Sequence, residues 1–235
     1  MIQISIPLDD SANRLHGEFF IPKIAKGLIV FAHGSGSGRA SPRNQYVANV
    51  LNQNGFATFL VDLLTQGEQE SDRNSQKLLD KYPSLALNKF NIKLLARRLE
   101  TATTWLIEIK ADVKNLPIGY FGSSTGTAAA IDASVSDSLF GKAYAIVSRG
   151  GRPDLENSNS IQTIKASTLL IVGAKDSKAV IDLNKQVLKQ LKNTKSKELV
   201  IIPKAGHLFE EEGTIERVAD VAGKWFSYTV EKRNN

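Results

Sequence analysis

Short apolar runs rich in β-branched residues recur along the chain, with amphipathic stretches between most of them. Two early segments, 2–7 and 14–21, alternate apolar and polar residues, with Asp9, Asp10 and Ser11 between them. This spacing predicts an antiparallel hairpin. The later runs are apolar throughout, as expected of parallel strands that are covered on both faces. These runs span 27–33, 57–62, 117–121, 143–148, 168–172 and 198–203.

Helical periodicity occurs between these runs, at 42–53, 90–110, 125–133, 179–192 and 214–228. The stretches 63–88 and 149–165 lack it and are predicted to be irregular. The alternation predicts an α/β fold with a mostly parallel twisted sheet of about eight strands, the hairpin at its start, and helices on both faces. Because no repeat or linker interrupts the series, a single domain over 1–235 is predicted.

Composition excludes several classes of protein. The chain has 235 residues, of which 42% are hydrophobic and 23% charged, so neither disorder nor a collagen-like structure is expected. It contains no cysteine, which excludes disulfides, a thiolate nucleophile, iron–sulfur clusters and zinc sites that need sulfur. The start of the chain has no signal-peptide pattern, and no apolar run is long enough to cross a bilayer. We therefore expect a soluble, cytoplasmic protein without a membrane partner.

The charge pattern does not favour nucleic acid as a partner. Lys and Arg number 30 and Asp and Glu 24, for a formal charge of +6, but the two signs are interleaved. The densest basic stretch is 185–197, where Val187, Leu188 and Leu191 fall at helical spacing. Its lysines are most simply the solvated face of an amphipathic helix, and no nucleic-acid partner is predicted.

A G-S-S-T-G motif at 122–126 follows one predicted strand and leads into a predicted helix. In this context G-x-S-x-G is typical of a tight turn whose glycines permit close packing and whose central serine is exposed. The pattern predicts Ser124 as a nucleophile. A run of small residues is equally typical of a helix N-cap, so the motif alone does not decide between the two.

Two further strand ends supply the partners that a serine nucleophile needs. Asp176 follows the strand at 168–172, and His207 follows the strand at 198–203. A serine hydroxyl requires a base to take its proton and a third group to orient that base. Taken singly, Asp176 would be interpreted as a loop or cap residue and His207 as a surface histidine. Their order after Ser124 predicts nucleophile, orienting acid and base.

The H-G-S-G-S-G loop at 33–38 follows the third strand and supplies a candidate oxyanion hole. Such a hole needs two backbone N–H donors aimed at the oxygen on which charge develops. The predicted donors are the N–H of Thr125, directly after the nucleophile, and the N–H of Ser35 in this loop. His33 is then expected to be structural.

The same loop has a rival interpretation, because glycines after a strand also bind the pyrophosphate of dinucleotides. Arg39 stands where the third glycine of that motif would fall, and Asp62 comes later than the usual ribose-binding carboxylate. A dinucleotide-dependent enzyme therefore remains as a weaker alternative. No cofactor is predicted.

Metal catalysis has little support in the sequence. His16, His33 and His207 are widely separated, and no H-x-H or H-E-x-x-H pattern accompanies them. His16 is interpreted as a half-buried structural histidine. The acidic run 210–212 precedes a predicted helix and is interpreted as a favourable placement at its N-terminus. No metal site is predicted.

With these motifs in place, the chain resembles the α/β-hydrolase superfamily and, within it, the dienelactone hydrolase-like branch. The resemblance covers nearly the whole chain. It implies an α/β-hydrolase fold without a large cap domain. The residues that carry it lie at 33–38, 41–44, 62–65, 122–126, 176 and 206–207.

One position departs from that branch. Dienelactone hydrolases proper use a cysteine nucleophile, whereas the matching residue here is Ser124. The resemblance therefore implies a serine-dependent hydrolase that cleaves a small-molecule carboxylic ester or lactone through an acyl-enzyme.

Arg149 and Arg152 follow a strand end close to the predicted site and can bind a substrate carboxylate through paired hydrogen bonds. Salt bridges with Asp154 or Glu156 are the more ordinary interpretation, since loop arginines commonly pair with nearby acids. A different class of function also stays open: a binding protein that keeps the fold without the chemistry.

Overall fold

The computed structural model describes residues 1–8, 13–79, 81–82, 84–156 and 159–234. Its strands are β1 (Ile2–Pro7), β2 (Arg14–Phe20), β3 (Leu28–Ala32), β4 (Ala57–Val61), β5 (Ile118–Ser123), β6 (Ala143–Arg149), β7 (Ser167–Gly173) and β8 (Lys197–Ile202). Its α-helices are α1 (Pro42–Gln53), α2 (Gln66–Gln76), α3 (Ile92–Ile109), α4 (Thr125–Ser134), α5 (Ser160–Thr163), α6 (Lys178–Gln190) and α7 (Thr214–Asn234).

The strands form one 8-stranded sheet in the order β1-β2-β4-β3-β5-β6-β7-β8. β2 pairs antiparallel with both β1 and β4, and the other neighbouring pairs are parallel. The predicted hairpin and the mostly parallel sheet are therefore confirmed. The predicted turn residues 9–11 lie outside the described part of the chain.

A hydrophobic layer covers each face of the sheet. On one face, the apolar side of α3 with Leu95, Leu99 and Leu106 packs with the alanines of α4. On the other face, Val47 of α1 and Phe226 of α7 pack against buried strand residues. The central strands β3 to β7 are buried along their whole length, as expected when both faces are covered.

The predicted irregular stretches are wrong in part. The stretch 63–88 contains α2, and 149–165 contains the short α5 and a 3-10 turn at Pro153–Leu155. Helix α2 buries only Asp72, so it has no apolar stripe for a periodicity argument to find. Another 3-10 turn, Asn88–Phe90, precedes α3, and α7 continues to Asn234.

The parallel strands bring their carboxyl ends to one edge of the sheet, where α/β proteins usually bind ligands. The loops after β3, β5, β6, β7 and β8 meet there. In the described ranges, no helix is both long enough and apolar enough to cross a membrane.

Candidate active site

Ser124 lies on a strained turn between β5 and α4. Its backbone has φ 48° and ψ −121°, a conformation that costs free energy for any residue with a Cβ. Close packing enforces the turn, because a Cβ at Gly126 would lie 2.1 Å from the carbonyl oxygen of Ala32. Ser124 occupies the N-cap position of α4 but makes no side-chain capping hydrogen bond. Capping therefore does not explain the serine.

The backbone of Ser124 is held by the segment that follows β6. Its N–H donates to the carbonyl of Arg149 at 3.2 Å, and its carbonyl accepts from the N–H of Arg152 at 3.1 Å. The same carbonyl accepts from Thr127 N–H at 3.1 Å. These bonds fix the turn while the residue itself stays partly exposed.

Asp176 and His207 are in direct contact. The ring Nδ1 of His207 lies 2.8 Å from Asp176 Oδ2. The Asp176 side chain is only 3% exposed, whereas that of His207 is 37% exposed. The other carboxylate oxygen accepts from the N–H of Ser177 at 2.7 Å. A buried, anchored acid thus fixes an imidazole that solvent can reach.

Glutamates of the 210–212 run shape the loop that carries His207. Glu211 accepts from the N–H of Gly206 with both oxygens, at 3.0 and 3.1 Å, and this hydrogen bond lowers the pKa of Glu211. Glu210 pairs with Arg43 at 2.6 Å. The run precedes α7, but the carboxylates of these two glutamates bind Arg43 and the N–H of Gly206.

Ser124 and His207 approach the same short segment from two sides. The N–H of Ser124 bonds to Arg149, and Gly150 packs against the histidine: a Cβ at Gly150 would lie 3.0 Å from His207 O and 3.5 Å from His207 Nδ1. The Ser124 hydroxyl and the imidazole are not hydrogen-bonded in the described structure. Such bonds are often long in unliganded enzymes and tighten when substrate binds.

The loop after β3 packs directly against the nucleophile turn. A Cβ at Gly34 would lie 3.1 Å from Ser124 Cβ, so a larger residue there would displace the serine. Ser35 follows Gly34 in this loop. Thr125 is the first residue of α4, and the first N–H groups of a helix have no partner within it. The two predicted oxyanion donors therefore belong to segments that flank Ser124.

His33 connects this loop to the end of β4. Its Nε2 accepts from the N–H of Leu63 at 2.9 Å, so the ring proton is on Nδ1 and faces the carbonyl of Gly34 at 2.9 Å. Burial lowers the pKa of His33, which keeps the ring neutral. This geometry fits a structural histidine.

Asp62 is engaged by the same loop. It accepts from the N–H of Arg39 at 2.7 Å and also forms an ion pair with the guanidinium of Arg39. A dinucleotide site would need a carboxylate free to bind ribose. The carboxylate of Asp62 is instead neutralised by Arg39, which stands where the dinucleotide motif has its third glycine.

The two candidate substrate-binding arginines have different surroundings. Arg152 forms an ion pair with Asp154 through two hydrogen bonds of 2.8 Å, so a substrate role for Arg152 stays a prediction. Arg149 is only 6% exposed and makes no ion pair within the described ranges. The salt-bridge interpretation is therefore wrong for Arg149, because the side chain turns inward, away from Asp154 and Glu156.

A cavity of about 480 Å³ opens beside the loop after β3. Helix α2 forms the opposite wall, a contribution that the sequence prediction missed. The capping box formed by Thr65 and Glu68 is the sequence signal that marks the start of such a helix. The polar lining comes from residues 33–37, Gln69, Asp72, Arg73, Asn74, Gln76, Lys77 and Lys89.

The described residues include no group of three or more His, Asp or Glu side chains that could hold a metal ion.

Solved structures share this architecture at both high and low sequence identity. The crystal structure of a dienelactone hydrolase from Anabaena variabilis is 46% identical, covers 97% of each chain and has a TM-score of 0.84. The Pyrococcus furiosus esterase Pf2001 is 15% identical, covers 97% of this chain and 92% of its own, and has a TM-score of 0.74. At that identity, the second similarity shows the fold alone.

Curated relatives include two Mycobacterium tuberculosis proteins whose names assign them provisionally to the phosphoribosyl transferases. Each is 45% identical over 210 residues, which is 89% of this chain and 43% of the relative. The chain thus spans less than half the length of these relatives. The Dienelactone hydrolase family matches residues 15–231, and the protein belongs to this family of α/β hydrolases.

Proposed function

We propose that this protein is a serine hydrolase that cleaves carboxylic esters or lactones through an acyl-enzyme. The observation that carries the proposal is the pairing of buried Asp176 with partly exposed His207, 2.8 Å apart, on the edge of the sheet where Ser124 occupies a strained turn. An imidazole anchored in this way is suited to take a proton from a neighbouring hydroxyl. Family membership supports hydrolysis, and the site supports the choice of nucleophile.

In the first half of the reaction, Ser124 Oγ attacks the substrate carbonyl carbon while His207 Nε2 takes the hydroxyl proton. Asp176 accepts the Nδ1–H bond, which holds the ring in one tautomer and stabilises the imidazolium. The carbonyl oxygen becomes an oxyanion and accepts from the N–H groups of Ser35 and Thr125. One such donor typically contributes about 3 kcal/mol to transition-state stabilisation. The tetrahedral intermediate collapses as His207 protonates the leaving alcohol.

In the second half, a water molecule attacks the acyl carbon and His207 takes one of its protons. Collapse of this intermediate breaks the bond to Ser124, whose oxygen recovers the proton, and the carboxylic acid leaves. A lactone follows the same steps with the alcohol still tethered to the acyl group. The reaction needs water as its only co-substrate and no cofactor.

The cavity beside the loop after β3 is the proposed space for one end of the substrate. It borders Ser35 and is lined by Leu64 and Leu95 as well as by Lys77 and Lys89. It therefore offers a substrate both apolar and cationic surface.

The alternative with a specific basis is a binding protein that keeps the fold but not the chemistry, because Ser124 and His207 are not hydrogen-bonded in this structure. A fluorophosphonate probe separates the two functions, since it modifies activated serines whatever the natural substrate. The folded protein is incubated with the probe, and the modified residue is located by intact mass and peptide mapping. We expect one adduct, on Ser124.

The controls are two alanine variants. Ser124→Ala should abolish labelling, while Ser136→Ala, beyond the end of α4, should leave it unchanged. Hydrolysis of a p-nitrophenyl ester should follow the same pattern. Folded wild-type protein that neither labels nor hydrolyses the ester would refute the serine hydrolase and favour the binding protein.

A further inference from the structure

The side chain of Arg149 is a buried cation without a counterion. It is only 6% exposed, and no carboxylate within the described ranges lies at salt-bridge distance from it. Burial, together with the positive charge of Arg43, lowers its pKa to about 10, so it still carries a charge at neutral pH. A buried, unpaired charge is costly for folding. Where a protein retains such a group, a functional constraint is a common reason.

The guanidinium contacts the two segments that carry the reacting side chains. One terminal nitrogen donates to Ser123 Oγ at 2.9 Å, directly before the nucleophile. The other donates to the carbonyl of Leu208 at 3.4 Å, directly after the base. The guanidinium also lies over the ring of Phe209, 5.8 Å from its centroid. A single side chain thus bridges the serine turn and the histidine loop.

The two segments also have strained backbones that need external support. Ser124 has φ 48°, and Phe209 has φ 54°. The Arg149 carbonyl accepts from the N–H of Ser124, so both main chain and side chain of Arg149 act on the same turn. Asn44 of α1 completes the arrangement by accepting from Arg149 at 3.3 Å and from Ser123 Oγ at 3.2 Å.

We propose that Arg149 is a positioning residue: it fixes the distance between Ser124 and His207 by bridging their two segments, and it does not bind substrate. This inference rests on the proposed serine hydrolase. The burial of Arg149 leaves little guanidinium surface for a substrate carboxylate. The planar fork of arginine reaches oxygens on both segments at once, a geometry that lysine cannot reproduce.

The test compares Arg149→Met with Arg149→Lys. The measurements are the rate constant for labelling of Ser124 by the fluorophosphonate, and kcat and KM for one neutral and one anionic p-nitrophenyl ester. The rate constant is used rather than the final extent of labelling, because the extent reports only the folded fraction. Arg217→Met is the matched control: its arginine lies on α7 and pairs with Asp220 at the surface.

We expect Arg149→Met to lower the labelling rate constant and kcat by about 10- to 100-fold for both esters, with KM unchanged, because small displacements of reacting groups cost this much. Arg149→Lys should recover part of the loss, and Arg217→Met should match wild type. Wild-type labelling rates in folded Arg149→Met would overturn the proposal in favour of a purely structural arginine. A rise in KM confined to the anionic ester would overturn it in favour of substrate binding.

A second variant keeps the test decisive if Arg149→Met does not fold. Ser123→Ala removes one oxygen that the guanidinium contacts and leaves the charge in place. It should slow labelling, and combined with Arg149→Lys the two effects should be less than additive because they disturb one contact. Wild-type labelling by Ser123→Ala, or full additivity, would contradict the bridging role. If wild type itself is not labelled, the serine hydrolase fails, an outcome distinct from these.

Discussion

Ser124 combines a side chain at a proposed reacting position with a backbone conformation that favours glycine. The positive φ belongs to the tight turn that connects β5 to α4. The close packing of Gly126 against the Ala32 carbonyl leaves no space for a wider turn. An exposed nucleophile therefore comes with a local cost in stability, as is common at functional sites.

This strain predicts the relative stability of two inactive variants. Ser124→Gly and Ser124→Ala both lack the hydroxyl, but only glycine adopts φ 48° without a Cβ clash. We expect Ser124→Gly to be more stable than Ser124→Ala by about 1–2 kcal/mol, although glycine gains more entropy on unfolding. Urea denaturation measures the difference. Equal stabilities, or a more stable alanine variant, would show that the turn is relaxed.

The three proposed reacting residues are predictable from the sequence because each follows an apolar run that predicts a strand. Ser124, Asp176 and His207 were named from motif, order and placement, and the structure adds the 2.8 Å contact between the last two. The inward direction of Arg149 was not predictable. Its neighbours in sequence are Gly150, Arg152 and Asp154, whereas the residues that it contacts, Ser123 and Leu208 among them, are distant in sequence.

At the scale of elements, α2 shows where a pattern argument fails. Its sequence QGEQESDRNSQ is polar all round, so its stability comes from its N-terminal cap and from polar contacts, and not from an apolar face. Buried Asp72, for example, accepts from the N–H groups of Asn88 and Lys89. Thr65 accepts from Glu68 N–H at 3.2 Å, and Glu68 accepts from Thr65 N–H at 2.8 Å. Glu68 also bonds to Arg98 of α3 at 3.1 Å, which ties the helix to the body of the protein.

Removing the cap should loosen α2 without unfolding the protein. Thr65→Ala is expected to cost the helix about 1 kcal/mol, and amide hydrogen exchange across 66–76 should become roughly fivefold faster while exchange in the strands of the sheet is unchanged. Thr104→Ala is the control, since Thr104 lies within α3 and bonds only to preceding carbonyls. Unchanged exchange in α2 would mean that packing, not the cap, stabilises it.

At the scale of the whole molecule, His33 links two strand ends beside the site and makes stability depend on pH. Burial is the largest cause of its lowered pKa, and it outweighs the opposing effects of the Gly34 carbonyl and Asp62. In the unfolded chain the ring titrates near its ordinary pKa of 6.5. As the pH falls below that value the unfolded state binds the proton more readily, so the free energy of unfolding decreases.

The comparison of wild type with His33→Gln isolates this effect. Glutamine can still accept from Leu63 N–H but does not titrate. The free energy of unfolding of wild type should fall more steeply than that of the variant as the pH drops below about 6.5, with an excess slope of at most about 1.4 kcal/mol per pH unit. Urea denaturation at a series of pH values gives both slopes. Parallel curves would indicate that His33 titrates alike in the folded and unfolded states.

The sequence by itself determined where the strands lie along the chain, that the sheet is mostly parallel, and which three residues are proposed for the reaction. These features depend on periodicity, chain order and strand ends, which are local properties. Tertiary structure alone decided the partners of Arg149, the neutralisation of Asp62 by Arg39, and the cavity wall formed by α2. Each of these requires groups far apart in sequence to meet, and which groups meet depends on how the helices and loops pack around the sheet.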